Sequence, residues 1–370
     1  VSEPLTLLQV AASADLTSGR LVQAVQIATV MAARGHGVTL VTRPSHAVAQ
    51  RCLPAGVEHV PLALRGRLDL ISAVRLRRLV RTGGAVMHTH GAGAHGVAFL
   101  ARLMRGRSRL VVGHHRSFPV HRIASLAYRA PVVAAVAATC AAVRQLLVQG
   151  ARLPERHVAV AYDGVDLARF DPARARGGRI RRELGVPPDA PLVGQAGVRS
   201  WKGGNGLLRA FLQVRRELPS SHLLLVGCTS EGERAEVVDL AQEMRMEGAV
   251  HVLLRREDMP DILAACNVVT DSSWAGTGVS AAVREAMALG RAVVATDRAG
   301  NPELVEHGVS GLLVEPRNVP TLAAGVLRLL RDPELAARFG EQGRRRVVER
   351  FSVERQAEML ERIYRDVLGG

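Results

Sequence analysis

Short apolar segments alternate with longer amphipathic ones along the chain, and that alternation restricts it to an α/β fold. "LTLLQVAA" (5–12) reads as a short apolar strand, followed by the polar loop "SADLTSGR". Leu21, Val25, Ala28 and Ala32 then recur at helical spacing, and "RGHG" (34–37) ends that helix with glycine. "VTLVT" (38–42) is the next strand, and strand, loop, helix, strand is the βαβ unit of a parallel sheet. The pattern continues at "AVMHTH" (85–90) and "RLVVGHH" (109–115).

The rhythm restarts after residue 165. Strands are predicted at 192–197, 222–227, 249–254, 267–272, 291–296 and 310–315, with helices of ten or more residues filling most of the gaps. The Pro-, Gly- and charge-rich stretch 168–192 reads as an interdomain connection. Two Rossmann-like, doubly wound domains follow, 1–165 and 166–351, and 370 residues suffice for two full cores. "FSVERQAEMLERIYRDVLGG" (351–370) reads as a closing helix, with Ser352 as its N-cap and Glu354, Glu358 and Glu361 along one side. In such sheets ligands are expected at the carboxyl ends of the strands.

Composition removes several classes of function. The longest apolar run, Ala130 to Val143, is too short to cross a bilayer, and no secretion leader is legible at the start. Cys52, Cys140, Cys228 and Cys266 form no CxxC pair and read as buried thiols of a cytoplasmic protein. Residues 1–160 carry 20 arginines against 5 acids, so the whole net charge of +15 lies in the first half. Its partner is therefore expected to be anionic: a membrane surface, a phosphorylated acceptor or a nucleic acid. Stacking aromatics are sparse there, with Phe99, Phe118 and Tyr128 far apart, which argues against nucleic acid. Arg75, Arg78 and Arg81 recur at a spacing of three, and Arg102, Arg105, Arg107 and Arg109 form a second cluster. Such charge usually marks a solvated face; its confinement to one half points to peripheral contact with anionic membrane.

The second half holds the chemistry. Lys202, in "GVRSWKGGNG" (197–206), is the only lysine of the chain, and an ammonium is a compact point charge where a guanidinium is a wide fork. It follows a strand end, beside Gly203 and Gly204, where a cation suits a bound anion, and Arg199 is close enough in sequence to join it. The loop "WAGTG" (274–278) leads into a helix from about Val279 to Leu289. Gly276 and Gly278 permit close approach of a ligand, Ser280 can cap or donate, and the first-turn N–H groups favour phosphate. Glu285 is expected roughly 10 Å along that helix, where its carboxylate can accept from vicinal hydroxyls such as a ribose.

"AYDGVDLARF" (161–170), "GVRSWKGG" (197–204), "REDMPDILAACNVV" (256–269), "TGVSAAVREAMALGRAVVATDRAGNPELV" (277–305) and "GLLVEP" (311–316) together resemble the retaining glycosyltransferases of family 4. "ARGHGVTLVT" (33–42), "MHTHGAGAHG" (87–96) and "VVGHH" (111–115) extend the resemblance over nearly the whole chain. It implies a GT-B fold, with a first domain for the acceptor, a second for a nucleotide-diphosphate sugar (UDP- or GDP-linked), and a last helix that crosses back to the first. By resemblance, Lys202 grips the donor diphosphate, with Arg199 as second charge because Gly197 stands where many relatives carry arginine. Glu285 matches the second acid of the family's E-x7-E pattern; Thr277 replaces the first. Gly278, Val279 and Ser280 would offer contacts to sugar or phosphate. Gly19 matches the Gly-rich loop of the first domain, and His115 the histidine near sugar and acceptor, with His90 a second candidate and His114 turned away. No DxD motif occurs, so neither a metal nor a cofactor is called for. The acceptor is expected to be a glycan or lipid-linked hydroxyl in polysaccharide or lipopolysaccharide assembly. Loss of the first acid leaves two other readings: a non-catalytic GT-B module, or a GT-B nucleotide-sugar epimerase.

Overall fold

The computed structural model describes residues 3–80, 84–104, 107–276 and 278–369. The chain divides into two compact units, residues 1–164 with 353–370, and residues 165–352. The two crossings lie side by side in the second unit, where Val165 pairs with Ser352 and its N–H donates to Phe351 O at 2.9 Å.

Unit 1 is built on seven parallel strands: β1 Thr6–Ala11, β2 Gly37–Thr42, β3 Glu58–Pro61, β4 Ala85–His90, β5 Arg109–His114, β6 Val133–Ala138 and β7 Val158–Val160. Their order is β3-β2-β1-β4-β5-β6-β7, with Thr6 facing both Gly37 and Ala85. The central strands read as apolar runs because helices cover both faces; all of β4 and all but the first residue of β1 are buried. Helix Gly19–Ala33 covers one face through Leu21, Ile27 and Met31. The closing helix Val353–Gly369 adds Leu360 and Tyr364 to the same core. Its three glutamates do not form one exposed stripe. Glu361 turns inward and pairs with Arg34 (2.8 Å) and Arg365 (2.7 Å).

Unit 2 carries β8 Leu192–Ala196, β9 His222–Cys228, β10 Val250–Leu254, β11 Val268–Asp271, β12 Ala292–Thr296 and β13 Leu312–Val314, all parallel, in the order β10-β9-β8-β11-β12-β13. Its core is filled by Phe211, Leu225, Val294 and Phe339 among others. The stretch 168–192 is not a connection between units. It lies within unit 2 and contains helix Gly177–Leu184, two of whose arginines reach the 256–267 segment: Arg179 pairs with Asp258 and Asp261, and Arg181 donates to Ala265 O and Asn267 Oδ1. The four cysteines are buried and none is in a disulfide. Among the described residues no helix is long and apolar enough to cross a membrane.

Candidate functional site

Strand order reverses between β8 and β11, the place where an open parallel sheet leaves a crevice beyond its carboxyl ends. Lys202 closes the short turn Ser200–Lys202 after β8, and helix Gly204–Glu217 follows. Two glycines shape this loop. Gly197 has φ +94°, and a Cβ there would lie 3.2 Å from Lys202 Cγ, because the lysine stem runs across it. Gly203 has φ +75°, and a Cβ would fall 2.2 Å from Ser272 O. The glycine at 197 thus belongs to the seating of the lysine.

The loop after β11 is fastened to the loop after β8. Gln195 Oε1 accepts from Ser272 N (2.9 Å) and Ser272 Oγ (2.8 Å), and Gln195 Nε2 donates to Gly197 O and Lys202 O, both at 3.2 Å. Ser272 Oγ also lies 3.0 Å from Lys202 O. Trp274 N donates to Trp201 O (3.0 Å), its indole N–H to Ser200 O (2.8 Å), and Arg317 sits 4.0 Å over its ring. Both tryptophans of the chain are therefore spent on this junction. None of these partners was predicted, because their roles exist only once the ends of β8 and β11 are neighbours.

Asp271, the last residue of β11, is buried, and its Oδ1 accepts from the Ser273 amide (2.9 Å) and hydroxyl. Burial pushes its pKa up, but the Lys202 charge and the Ser273 and Ser280 hydroxyls outweigh burial and hold it below the usual carboxylate value. Arg199 is exposed on the same loop and its charge falls on Glu233.

Helix Ala281–Ala288 begins later than predicted, with Ser280 as an N-cap that makes no side-chain cap bond. Gly278 and Val279 are buried, and Gly278 O accepts from Gly300 N at 3.0 Å. Thr277 lies outside the described residues. Glu285 is the fifth residue of the helix, about 6 Å from its start rather than 10 Å. It is half-buried; burial raises its pKa against the charges of Arg284 and Arg169.

In unit 1 the order reverses between β1 and β4. Gly19 opens the helix after β1, exposed, with an uncapped N-terminus; a Cβ there would meet nothing within 4 Å, so packing does not demand a glycine. The residue that shapes this crevice is Arg20, unpredicted, which lies over Gly91 (φ +95°) so closely that a Cβ would come 2.6 Å from its Nη1. His115 follows β5, with Nδ1 3.4 Å from Asp163 and Nε2 buried without a hydrogen bond, so a turn of the ring is needed to offer that nitrogen to a ligand. His90 takes a different place from the one expected. It is only 2 % exposed, Nε2 bonds Gln9 Oε1 at 2.8 Å, and it stacks behind His115 at 5.8 Å. It supports His115 and is too deep to meet sugar or acceptor. His114 does turn the other way, toward Tyr128.

Of the surface arginines, Arg75 and Arg78 are exposed on helix Leu70–Leu79. Arg102 is half-buried, which lowers its pKa together with the charge of Arg109. Arg81 and Arg105 lie outside the described residues.

Residues 178–346 match the family model of the glycosyl transferases group 1, and residues 19–169 match that of Glycosyltransferase Family 4. The chain belongs to the family-4 glycosyltransferases. It is 30% identical over 221 residues to a D-inositol 3-phosphate glycosyltransferase of Corynebacterium kroppenstedtii, covering 57% of this chain and 49% of that protein. It is 28% identical over 313 residues to the alpha-D-kanosaminyltransferase of Streptomyces kanamyceticus, covering 79% and 80%. The chain spans about half the length of the first curated relatives it matches. Among solved structures, a Rickettsia africae glycosyltransferase superposes with TM-score 0.84 at 19% identity over 99% of both chains. Anabaena Alr3699/HepE in complex with UDP-glucose superposes with TM-score 0.83 at 22% identity, covering 97% of this chain and 99% of that one. The chain shares its GT-B fold with both structures.

Proposed function

We propose that this family-4 glycosyltransferase moves a sugar from a nucleotide-diphosphate donor to a hydroxyl of a glycan or lipid-linked acceptor, with anomeric configuration retained and without a metal. The observation that carries the reading is Lys202: the one ammonium of the chain, its stem laid over Gly197, at the reversal of strand order. In this reading Lys202 meets the diphosphate and neutralises charge as the glycosidic bond to the leaving group breaks, with Arg199 nearby in the loop. The uncapped N-terminus of helix Ala281–Ala288 supplies further donors to phosphate or sugar through Gly278, Val279 and Ser280. Glu285 accepts from the nucleotide's ribose hydroxyls, and its raised pKa suits a carboxyl that gains hydrogen-bond donors only when the ligand arrives. Gly19 and its neighbours offer backbone N–H groups to the donor, and His115, held by Asp163, orients sugar or acceptor. The oxocarbenium-like sugar is then attacked by the acceptor from the face the diphosphate leaves. UDP in the HepE complexes supports a uridine donor as the first to test, with GDP second.

The basic first unit is read as resting on an anionic membrane through Arg75, Arg78 and Arg102. Seven of the large hydrophobic side chains left exposed belong to unit 1, including Leu68 just before the arginine-bearing helix and Leu70 and Ile71 in its first turn. Co-sedimentation with liposomes should rise with anionic lipid content; a flat response would remove this part of the reading.

The transfer reaction is tested by incubating the protein with a panel of UDP-, GDP- and ADP-sugars and hydroxyl acceptors. Release of nucleoside diphosphate, with the α-anomer of the donor kept in the product by NMR, is expected. An isomerised nucleotide sugar formed without acceptor would point to an epimerase instead, and no turnover despite binding to a non-catalytic module.

A further inference from the structure

His115 and Asp163 both stand on irregular backbone, past the ends of β5 and β7, so no strand ladder fixes their pairing. The closing helix does. Its Gln356 is 2 % exposed, and a buried amide is costly unless both of its ends are bonded. Gln356 Oε1 accepts from Gly164 N at 2.8 Å, and its Nε2 donates to Asp163 Oδ1 at 3.4 Å. Gly164 O accepts from Gln23 Nε2 at 3.0 Å, so two buried glutamines hold Gly164 by its N–H and its carbonyl. Of the two, only Gln356 also reaches the carboxylate. A carboxylate accepts and does not donate, so His115 carries its hydrogen on Nδ1, 3.4 Å from both Asp163 oxygens, and Nε2 is the bare nitrogen. The same helix backs the ring from behind. Gln9 Nε2 donates to Tyr364 Oη (3.2 Å), whose own hydrogen then goes to His88 Nδ1 (2.7 Å). Burial keeps His88 neutral, so its hydrogen sits on Nε2. His88 Nε2 and His115 Nε2 each lie 3.0 Å from where a Cβ on Gly113 would fall, a donor beside a bare acceptor. Apolar side chains such as Leu360 and Ile363 serve packing alone; the polar pair at 356 and 364 converges on one imidazole.

We propose that Gln356 is a positioning residue for His115, acting through Asp163: it holds the carboxylate where it keeps the ring hydrogen on Nδ1, so that His115 meets a ligand hydroxyl through an accepting Nε2. The N–H of His88 behind the ring favours the same tautomer. This rests on the reading of His115 as the residue that orients sugar or acceptor.

The tautomer is read directly by NMR on the ligand-free protein. With histidine labelled by nitrogen-15, long-range proton–nitrogen correlations distinguish the two neutral forms, and the His115 signal is the one missing from His115→Gln. At alkaline pH the wild type should show His115 with its hydrogen on Nδ1; a ring with hydrogen on Nε2 contradicts the inference. Gln356→Met keeps the length of the side chain and loses both bonds. It should lower the ratio of the Nδ1–H to the Nε2–H form about tenfold, the effect of losing one hydrogen bond to a charged group. Gln23→Met loosens Gly164 from its other side without touching the Asp163 contact, and should leave the His115 signal as in the wild type. An unchanged signal in Gln356→Met, or equal changes in the two variants, overturns the inference. Should Gln356→Met not fold, Gln356→Asn, which draws the amide back by one methylene, takes its place with the same expectation. His115→Ala should slow nucleoside diphosphate release on the donor panel above. An undiminished rate would speak against the role of His115 and leave its coupling to Gln356 to be decided by the spectra.

Discussion

Mild acid should unfold unit 1 before unit 2. Burial holds four histidines of unit 1 in the neutral form: His88 is pushed down to about 3, His95 and His114 to about 4, and His90 well below the ordinary value. Like-charge neighbours add to burial, His115 for His88 and Arg67 for His95. In the unfolded chain these groups titrate near 6.5, so below that pH the unfolded state binds protons that the folded state refuses. The associated stability is intact above about pH 6.5 and is lost as pH falls toward the folded values. At pH 5 each such histidine costs about 2 kcal/mol, so the three with assigned values together cost about 6 kcal/mol and His90 adds to this. That is comparable with the whole stability of a domain. In unit 2 only His251 is lowered as far, to about 4, with His222 shifted in the same direction. The chain provides its own assay, since Trp201 and Trp274 both lie in unit 2. Tryptophan fluorescence follows that unit, while far-UV circular dichroism follows both. Between pH 7.5 and 5 the first dichroism transition should fall by roughly 15 °C, ahead of the fluorescence transition. Coincident transitions, or a first transition that does not move, would refute the reasoning.

Two further outcomes follow from the packing. Gly203→Ala should abolish nucleotide binding while leaving unit 1 intact, because a Cβ would sit 2.2 Å from Ser272 O at φ +75°; wild-type affinity by calorimetry would contradict the account of the two loops. Glu361, whose burial is outweighed by Arg34 and Arg365, titrates at about 2, so Glu361→Gln should cost about 1–2 kcal/mol near neutral pH after allowance for the exposure of Arg34. That deficit should shrink as pH falls from about 4.5 toward 2, measured by urea unfolding of the two proteins.

The sheets were legible wherever a strand is buried on both faces, as at β1, β4 and β11, because each such strand carries a short apolar run, Leu7–Leu8, Ala85–Met87 and Val268–Val269. β3, β6 and β7 were not. β6 is "VAAVAA", and alanine carries little strand signal; β7 is only three residues long. The 168–192 stretch was misread because its charges look solvated in sequence and are paired with Asp258, Asp261 and Asn267 in space. Lys202 stood out by uniqueness and Glu285 by spacing, both local properties. Gln195, Ser272 and Asp271 did not, since their meaning arises from contacts between strand ends some 75 residues apart. Position at a strand end was enough to single out His90, but depth is not encoded there, and the ring proved to be buried on Gln9.

On the proposed reading, the β8–β11 crevice of unit 2 holds a nucleoside diphosphate against the solitary lysine. Isothermal titration of UDP, GDP and ADP into the wild-type protein and into Lys202→Met tests it most directly. The account predicts that at least one of the three binds to the wild type and that its affinity drops tenfold or more in the variant, about 1.4 kcal/mol. Equal affinity in the two proteins, or no binding to the wild type by any of the three, would contradict it.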